Sequence, residues 1–379
     1  MTYPDWLNQP ETPFLLIDEV RYKNNIERLY KHVENLGSYV RPHLKTLRSP
    51  EAARCLLKHS HSPATVSTLA EAEHFANIGY TDILYAVGIS PHKLDRVANL
   101  IRQGITMHIL LDTLEQAKAV REYAINHNVT FSSFIEVDCD GHRGGIPPES
   151  DELVDIAIML QGKGTILTGL LAHAGESYHC HHIDELHKAA KAECDAIRRA
   201  SERIRAHGIS CSILSVEATP TALYSQELEN INEVRAGVFS TFDLVMKNVG
   251  VCSLDDIAIS VVTSVIGYNR KKNWIFIDAG WMALSRDRGT ASQQEDFGYG
   301  LVCNMDNQPL HKIYVSHANQ EHGIITLPPN SDFTLDDFPI GTRLRILPNH
   351  ACATAAMHKN YQVLLEDGQQ QIWSRITGW

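Results

Sequence analysis

Between about residue 18 and residue 245, short apolar runs alternate with longer amphipathic stretches. Strand-like runs are Tyr39–Leu44, Ala64–Thr68, Asp82–Val87, Ile105–Leu111, Ser133–Val137, Leu167–Ala172, Ser212–Val216 and Asn232–Phe239. Each is rich in Val, Ile, Leu or aromatic residues and is bounded by turn or cap residues. The stretches between them carry helix punctuation. Ser49-Pro50-Glu51 offers an N-cap, a proline at N1 and an early acid; Ser90-Pro91 opens another helix, and Gly79, Gly104 and Gly208 stand where C-terminal caps belong. Asp184 to Arg205 is the longest, with Leu186, Ala190, Cys194, Ile197 and Ile204 on one stripe. Eight βα units over some 230 residues predict an α/β chain with a (β/α)8, TIM-like barrel. An open doubly wound sheet fits less well, because no GxGxxG turn follows the first strand.

Beyond about residue 250 the texture changes. Ile257–Ile266, Trp274–Asp278, Lys312–Ser316, Gly323–Leu327, Arg343–Leu347 and Tyr361–Leu365 read as strands with little helix between them. Asp367-Gly368 marks a hairpin leading into Gln371–Arg375. This predicts a C-terminal all-β domain, and the Thr12–Asp18 strand suits either part. The division expected is a barrel over 19–248 and a β domain made of 1–18 and 249–379.

Composition narrows the function classes. The 379 residues are 44% hydrophobic and 21% charged, an ordinary globular profile, with a formal charge of −11. That charge argues against nucleic acid and against an anionic membrane surface as main partner. No apolar run approaches the roughly 18 residues of a membrane span, and the start lacks the basic-then-apolar order of a secretory signal. The 8 cysteines are scattered with no CxxC, which predicts reduced thiols and a cytoplasmic protein. The 20 histidines leave metal and acid–base chemistry open.

Reacting groups of such a barrel lie at the carboxyl ends of its strands. RPHLKT sets Lys45 there with His43 two residues before; EVDCDGHRGG sets His142 and Arg143 in a Gly-flanked turn. LLAHAGESY supplies His173, Ser177 and Tyr178, and SVEATPT supplies Thr219 and Thr221. The loops after the last two strands commonly bind phosphate, for which hydroxyls and small residues are suited. A lysine at a strand mouth beside a phosphate site suggests covalently held pyridoxal phosphate, although pattern alone fits a solvated surface lysine equally. His350 and Cys352 form a second constellation: an i, i+2 pair in an extended segment turns both side chains to one side. Imidazole plus thiolate is a zinc-favouring set, against which stands a buried cysteine beside a satisfied histidine. The run His179, Cys180, His181, His182 and His187 reads as a loop and helix start, since four consecutive residues cannot all face one ion. Arg270–Lys272 reads as a solvated hairpin tip, and Glu321-His322-Gly323 as a turn, although its match to a motif of a known enzyme family equally implies a segment approaching the metal or a partner subunit.

TPFLLID, RPHLKT followed by SPEAA, HRGG, AHAGESY, ATPT, EVRAG and LPNHACAT occur in consistent order from residue 12 to the end of the chain. Together they resemble the D-serine dehydratase and D-threonine aldolase family. Those are pyridoxal phosphate enzymes with an alanine-racemase-like barrel and a C-terminal β domain. The resemblance implies that Lys45 carries the cofactor, that Arg143 faces the pyridine nitrogen and that Tyr178 lies by the ring. It implies that Thr219 and the Gly237–Val238 backbone hold the phosphate, and that His350 and Cys352 bind Zn2+. His-x-Cys resembles the dehydratase-like members; aldolase-like members carry His-x-Asp. The activity implied is removal of water from a D-β-hydroxy amino acid, D-serine first, with Lys45 as base. Aldol cleavage of D-threonine type is the alternative, with His173 as base; an amino-acid racemase and a non-catalytic cofactor carrier are more remote. A homodimer is implied as well. Two departures stand out: Glu217-Ala218 replaces the family's usual Gly-Ser and places an acid near the phosphate loop, and Phe239 stands where Tyr is common.

Overall fold

A computed structural model describes residues 3–379. The chain divides into two units: one holds the residues up to Ile26 together with Val238–Arg375, the other Glu27–Gly237 and Ile376–Trp379. In chain order the early strands are β1 (Phe14–Asp18), β2 (Tyr39–Val40), β3 (Ala64–Val66), β4 (Asp82–Gly88), β5 (Thr106–Leu111), β6 (Phe131–Val137), β7 (Thr165–Ala172), β8 (Ile213–Glu217) and β9 (Glu233–Arg235). The helices among them are α1 (Glu19–Asn35), α2 (Pro50–Leu56), α3 (Leu69–Asn77), α4 (Leu94–Arg102), α5 (Leu114–His127), α6 (Asp151–Met159), α7 (Ile183–Ala206) and α8 (Thr219–Tyr224).

In the second unit β2 to β9 form one all-parallel sheet in the order β2-β9-β8-β7-β6-β5-β4-β3. Its ends meet: Thr65 N–H donates to Pro42 O and Leu44 N–H to Thr65 O, both at 2.9 Å, around a parallel bridge between His43 and Thr65. The TIM-like order follows the eight predicted runs. β2 is shorter than predicted because Pro42 has no N–H for the ladder, which continues as isolated bonds. Leu84, Leu110, Phe134 and Leu171 pack together inside. Gly169 is needed there: a Cβ on it would stand 2.3 Å from Ile213 O and 2.6 Å from the Phe134 ring.

Of the two predicted starts, Ser49-Pro50 opens α2, whereas Ser90-Pro91 opens a 3-10 turn, Pro91–Lys93, ahead of α4. Ser49 caps α2 by accepting from Ala52 N–H, with Pro50 at N1, and Thr113 forms a capping box with Gln116 at α5. α7 has Asp184 and Glu185 in its first turn and Arg203 and Arg205 in its last, matching the helix dipole at both ends. Its buried stripe holds the predicted residues together with Ala196, Ala200, Ser201 and an acid, Glu193, only 1% exposed.

The first unit is built on antiparallel β structure. Its later strands are β10 (Ile259–Asn269), β11 (Trp274–Ile277), β12 (Leu301–Cys303), β13 (Pro309–Ala318), β14 (Gly323–Thr326), β15 (Arg343–Leu347), β16 (Asn360–Leu364) and β17 (Gln370–Ser374). The order is β11-β14-β13-β12-β15-β10-β1-β16-β17, with β11 also pairing with β10. β1 lies between β10 and β16, joined antiparallel to the first and parallel to the second. The β16–β17 hairpin matches the Asp367-Gly368 signal, and Arg270–Lys272 is an exposed turn between β10 and β11. β12 is an addition to the predicted set; three residues are too few for a periodic signal. The short helices of this unit are α9 (Leu244–Val249), α10 (Trp281–Leu284) and α11 (Ala351–Ala355). Among the described residues no helix is long and apolar enough to cross a membrane, and the cysteines form no disulfide.

Candidate active site

At the carboxyl ends of the parallel strands, three segments distant in sequence meet on one carboxylate. Glu217 closes β8 and is buried, with 6% of its side chain exposed. Its Oε1 lies 3.8 Å from Lys45 Nζ, and its Oε2 lies 3.6 Å from His173 Nδ1 and 2.7 Å from Arg235 Nη1. Arg235, the last residue of β9, has no exposed side-chain surface; its Nε donates to Ser215 Oγ and its Nη2 to Ala172 O, both at 2.8 Å. Burial opposes charge on Glu217, but Arg235, Lys45, His173 and His43 together hold its carboxyl well below the usual carboxylate range. Burial pushes His173 down to about 4, with Glu217 acting against the fall, so the imidazole is neutral at physiological pH.

Tyr178, His142, Arg143 and His43 lie around this core. The His173 and Tyr178 rings are 6.4 Å apart and tilted by 39°. Arg143 is half exposed, with Nη2 3.7 Å from Glu136 Oε1. His142 bonds Glu176 at 2.8 Å through Nδ1 and lies against the Gly175 backbone, where a Cβ would come within 2.2 Å of its ring. Ser177 donates to Ala174 O within its own turn, and His43 is buried with Nε2 3.4 Å from Ser67 Oγ. His182 caps α7 and His187 bonds Tyr224 O, so the histidine run is a loop and helix start as expected.

Thr219 begins α8, and its buried hydroxyl has no hydrogen-bond partner among the described residues. Such an atom calls for an acceptor or donor that the protein itself does not provide. Gly237 lies against His43, and a Cβ there would meet His43 O at 3.3 Å and Thr46 Oγ1 at 3.4 Å. Glu193 reaches this loop from α7: Glu217 N–H donates to its Oε1 at 2.7 Å and Thr221 Oγ1 to its Oε2 at 2.8 Å. Burial raises the Glu193 carboxyl to about 8. An amine beside a carboxylate, an unpaired loop hydroxyl and a side-chain-free approach suit an aldehyde that carries a phosphate. The residues therefore fit pyridoxal phosphate. Val238 belongs to the other unit, where it opens a short 3-10 turn through Ser240.

His350 and Cys352 are placed differently from the extended pair the spacing predicts. His350 has extended backbone and is the N-cap of α11, while Cys352 lies in the first turn of that helix. The pair still meets, for the imidazole is hydrogen-bonded to the Cys352 side chain. His350 Nδ1 also lies 2.6 Å from Asp287 Oδ2, an arrangement that fixes the orientation of the ring. Asp243, buried beneath, accepts from Ala351 N–H at 2.8 Å and from Met246 N–H at 2.9 Å. Among the described residues no three His, Cys, Asp or Glu side chains are grouped to hold an ion. A nitrogen and a sulfur donor with an orienting carboxylate fit zinc with positions left over for water or substrate.

A cavity of about 500 Å3 lies away from this chemistry, at the start of the parallel strands, lined by Tyr30, Tyr39, Lys58 and Asp82 among others. Glu193, Arg235 and Asp287 are absent from the sequence-derived candidates. An acid on the apolar stripe of α7 is the signal that points to Glu193.

Residues 17–244 match the family described as "Alanine racemase, N-terminal domain", and residues 258–364 match "Putative serine dehydratase domain". The D-threo-3-hydroxyaspartate dehydratase of Delftia sp. (strain HT23) is 43% identical, covering 99% of this chain and 100% of that protein. The D-serine dehydratase of Dictyostelium discoideum is 27% identical over 96% of each chain. An ala racemase-like protein from Idiomarina loihiensis has a TM-score of 0.97 at 56% identity, covering both chains completely. A cysteine-to-alanine variant of D-threo-3-hydroxyaspartate dehydratase, solved in the metal-free form, has a TM-score of 0.96 at 42% identity, covering 98% of this chain and 99% of that one.

Proposed function

The chain belongs to the family that joins an alanine racemase N-terminal domain to a serine dehydratase domain, and on that premise we propose that it is a pyridoxal phosphate- and zinc-dependent lyase that removes water from D-amino acids bearing a β-hydroxyl. The observation that carries this reading is the convergence of Lys45 and His173 on buried Glu217 at the carboxyl ends of the parallel strands. When bound, the cofactor supplies an electron sink for charge left at Cα, and zinc on His350 and Cys352 a Lewis acid for the β-hydroxyl. Lys45 would tether the cofactor by its amine and, once the substrate's own amine has taken its place there, would take the α-proton onto Nζ, where Glu217 Oε1 faces the resulting ammonium. His173, kept neutral by burial, is a proton acceptor beside Lys45. Arg143 and Tyr178 would hold the cofactor ring, and the Thr219 hydroxyl with the Gly237 and Val238 backbone would hold its phosphate. Asp287 fixes the His350 ring.

Two substrates lead. The Delftia relative is named for D-threo-3-hydroxyaspartate and the more distant Dictyostelium relative for D-serine. Loss of water and hydrolysis would give oxaloacetate with ammonia from the first and pyruvate with ammonia from the second. Cys352 favours dehydration over aldol cleavage, as the family resemblance implies. Incubating the loaded enzyme with both acids and with D-threonine tests this. Keto acid and ammonia in equal amounts are expected, whereas glycine and an aldehyde without keto acid would defeat it. The reading includes a cytoplasmic homodimer, for which the mass in solution is the check.

A further inference from the structure

The two oxygens of Glu217 have different tasks. Oε2 receives Arg235 Nη1 at 2.7 Å and lies 3.6 Å from His173 Nδ1. Oε1 is the oxygen on the Lys45 side. Among the described residues the Nδ1 atom of His173, shut off from water, has no hydrogen-bond partner. Arg235 is no partner for it, since its Nε, Nη1 and Nη2 donate to Ser215, Glu217 and Ala172. An Nδ1 lone pair would therefore face a carboxylate oxygen, which repels it, whereas an Nδ1–H would be attracted. The charged groups around the pair are His43 and Lys45 after the first barrel strand, Arg143 after β6 and Arg235 on β9. Glu193 adds its carboxyl from α7. Glu217 is ionised in that company.

We propose that Glu217 is a positioning residue that fixes the proton of His173 on Nδ1, so that Nε2 is the proton-accepting nitrogen. One carboxylate thereby sets the proton inventory of both groups that handle protons, with His173 on one oxygen and Lys45 on the other. The inference rests on the reading of Lys45 and His173 as the acid–base pair, yet the tautomer itself is a property of the protein without cofactor. Carboxylate–imidazole pairs elsewhere work by this logic, the acid choosing the tautomer without taking the proton.

The test is nitrogen NMR of 15N-histidine-labelled, cofactor-free protein, with His173→Gln to assign the ring signals. The wild type is expected to carry its proton on Nδ1. In Glu217→Gln the carboxamide N–H can donate to Nδ1, and the proton is expected to move to Nε2. In the loaded enzyme the same variant is expected to lose about 10²-fold in kcat, with KM changed by less than about threefold. Glu217→Asp should keep the Nδ1–H tautomer and restore part of the rate. A wild-type proton on Nε2, or a tautomer that Glu217→Gln leaves unchanged, overturns the proposal. If that variant does not fold, the wild-type tautomer alone decides. A protein with the Nδ1–H tautomer that takes up no cofactor would refute the lyase reading and uphold this one.

Discussion

Arg235 and Glu217 stand 2.7 Å apart with 0% and 6% of their side chains exposed, the only direct ion pair that Arg235 forms among the described residues. Removing one member of such a pair leaves the other charge buried without compensation. Arg235→Met should lower the unfolding free energy by about 3–5 kcal/mol, measured by urea denaturation. A loss below about 1 kcal/mol would mean that the pair contributes little to holding the parallel sheet.

Glu193 should give stability a signature in pH. Its carboxyl is raised from 4.5 to about 8 in the folded protein, so the fold binds a proton that the unfolded chain has released. Its contribution is fully present below about pH 4.5 and is lost as pH rises through about 8. Glu193→Gln keeps an acceptor for Glu217 N–H and cannot ionise. The variant's stability relative to the wild type should therefore climb between pH 5 and pH 8, as read by chemical denaturation across that range. A flat difference would show that Glu193 is ionised in the fold.

At the other constellation, Asp287 holds His350 through a 2.6 Å contact to Nδ1. Asp287→Ala should weaken zinc binding by about 10- to 100-fold, measured by chelator competition on the protein without cofactor. Cys352→Ala should weaken it further, because it removes a ligand outright. Unchanged affinity in both would dismiss this pair as a metal site.

Gly169 tests the packing of the parallel sheet. A methyl group there meets the Ile213 carbonyl at 2.3 Å, a backbone atom that cannot swing aside. Gly169→Ala should cost about 3 kcal/mol or prevent folding, whereas Gly104→Ala, with nothing within 4 Å, is strained only by its positive φ. Thermal unfolding of the two variants side by side gives the comparison.

Legibility in the sequence followed the range of the forces involved. Ser49-Pro50 acts within one helical turn, so α2 could be placed from local pattern. Lys45 and His173 were legible because each directly follows a strand, and the barrel puts strand ends at one face. Their meeting on Glu217 was not, since it depends on three strands that the fold alone brings together, with Arg235 set 18 residues further on. Glu217 was expected near the phosphate loop; its backbone is there, but its carboxylate turns to Lys45 and His173. His350 and Cys352 read as extended in the sequence because α11 spans five residues, too few for a helical period to register. Asp287 lies 63 residues from His350, beyond any local signal.

The most direct test of the account is the covalent state of Lys45. Protein loaded with pyridoxal phosphate and reduced with borohydride should gain one pyridoxyl group per chain, located by peptide mass on Lys45 and absent from Lys45→Ala. A reduced protein with no added mass, or with the label on another lysine, would contradict it.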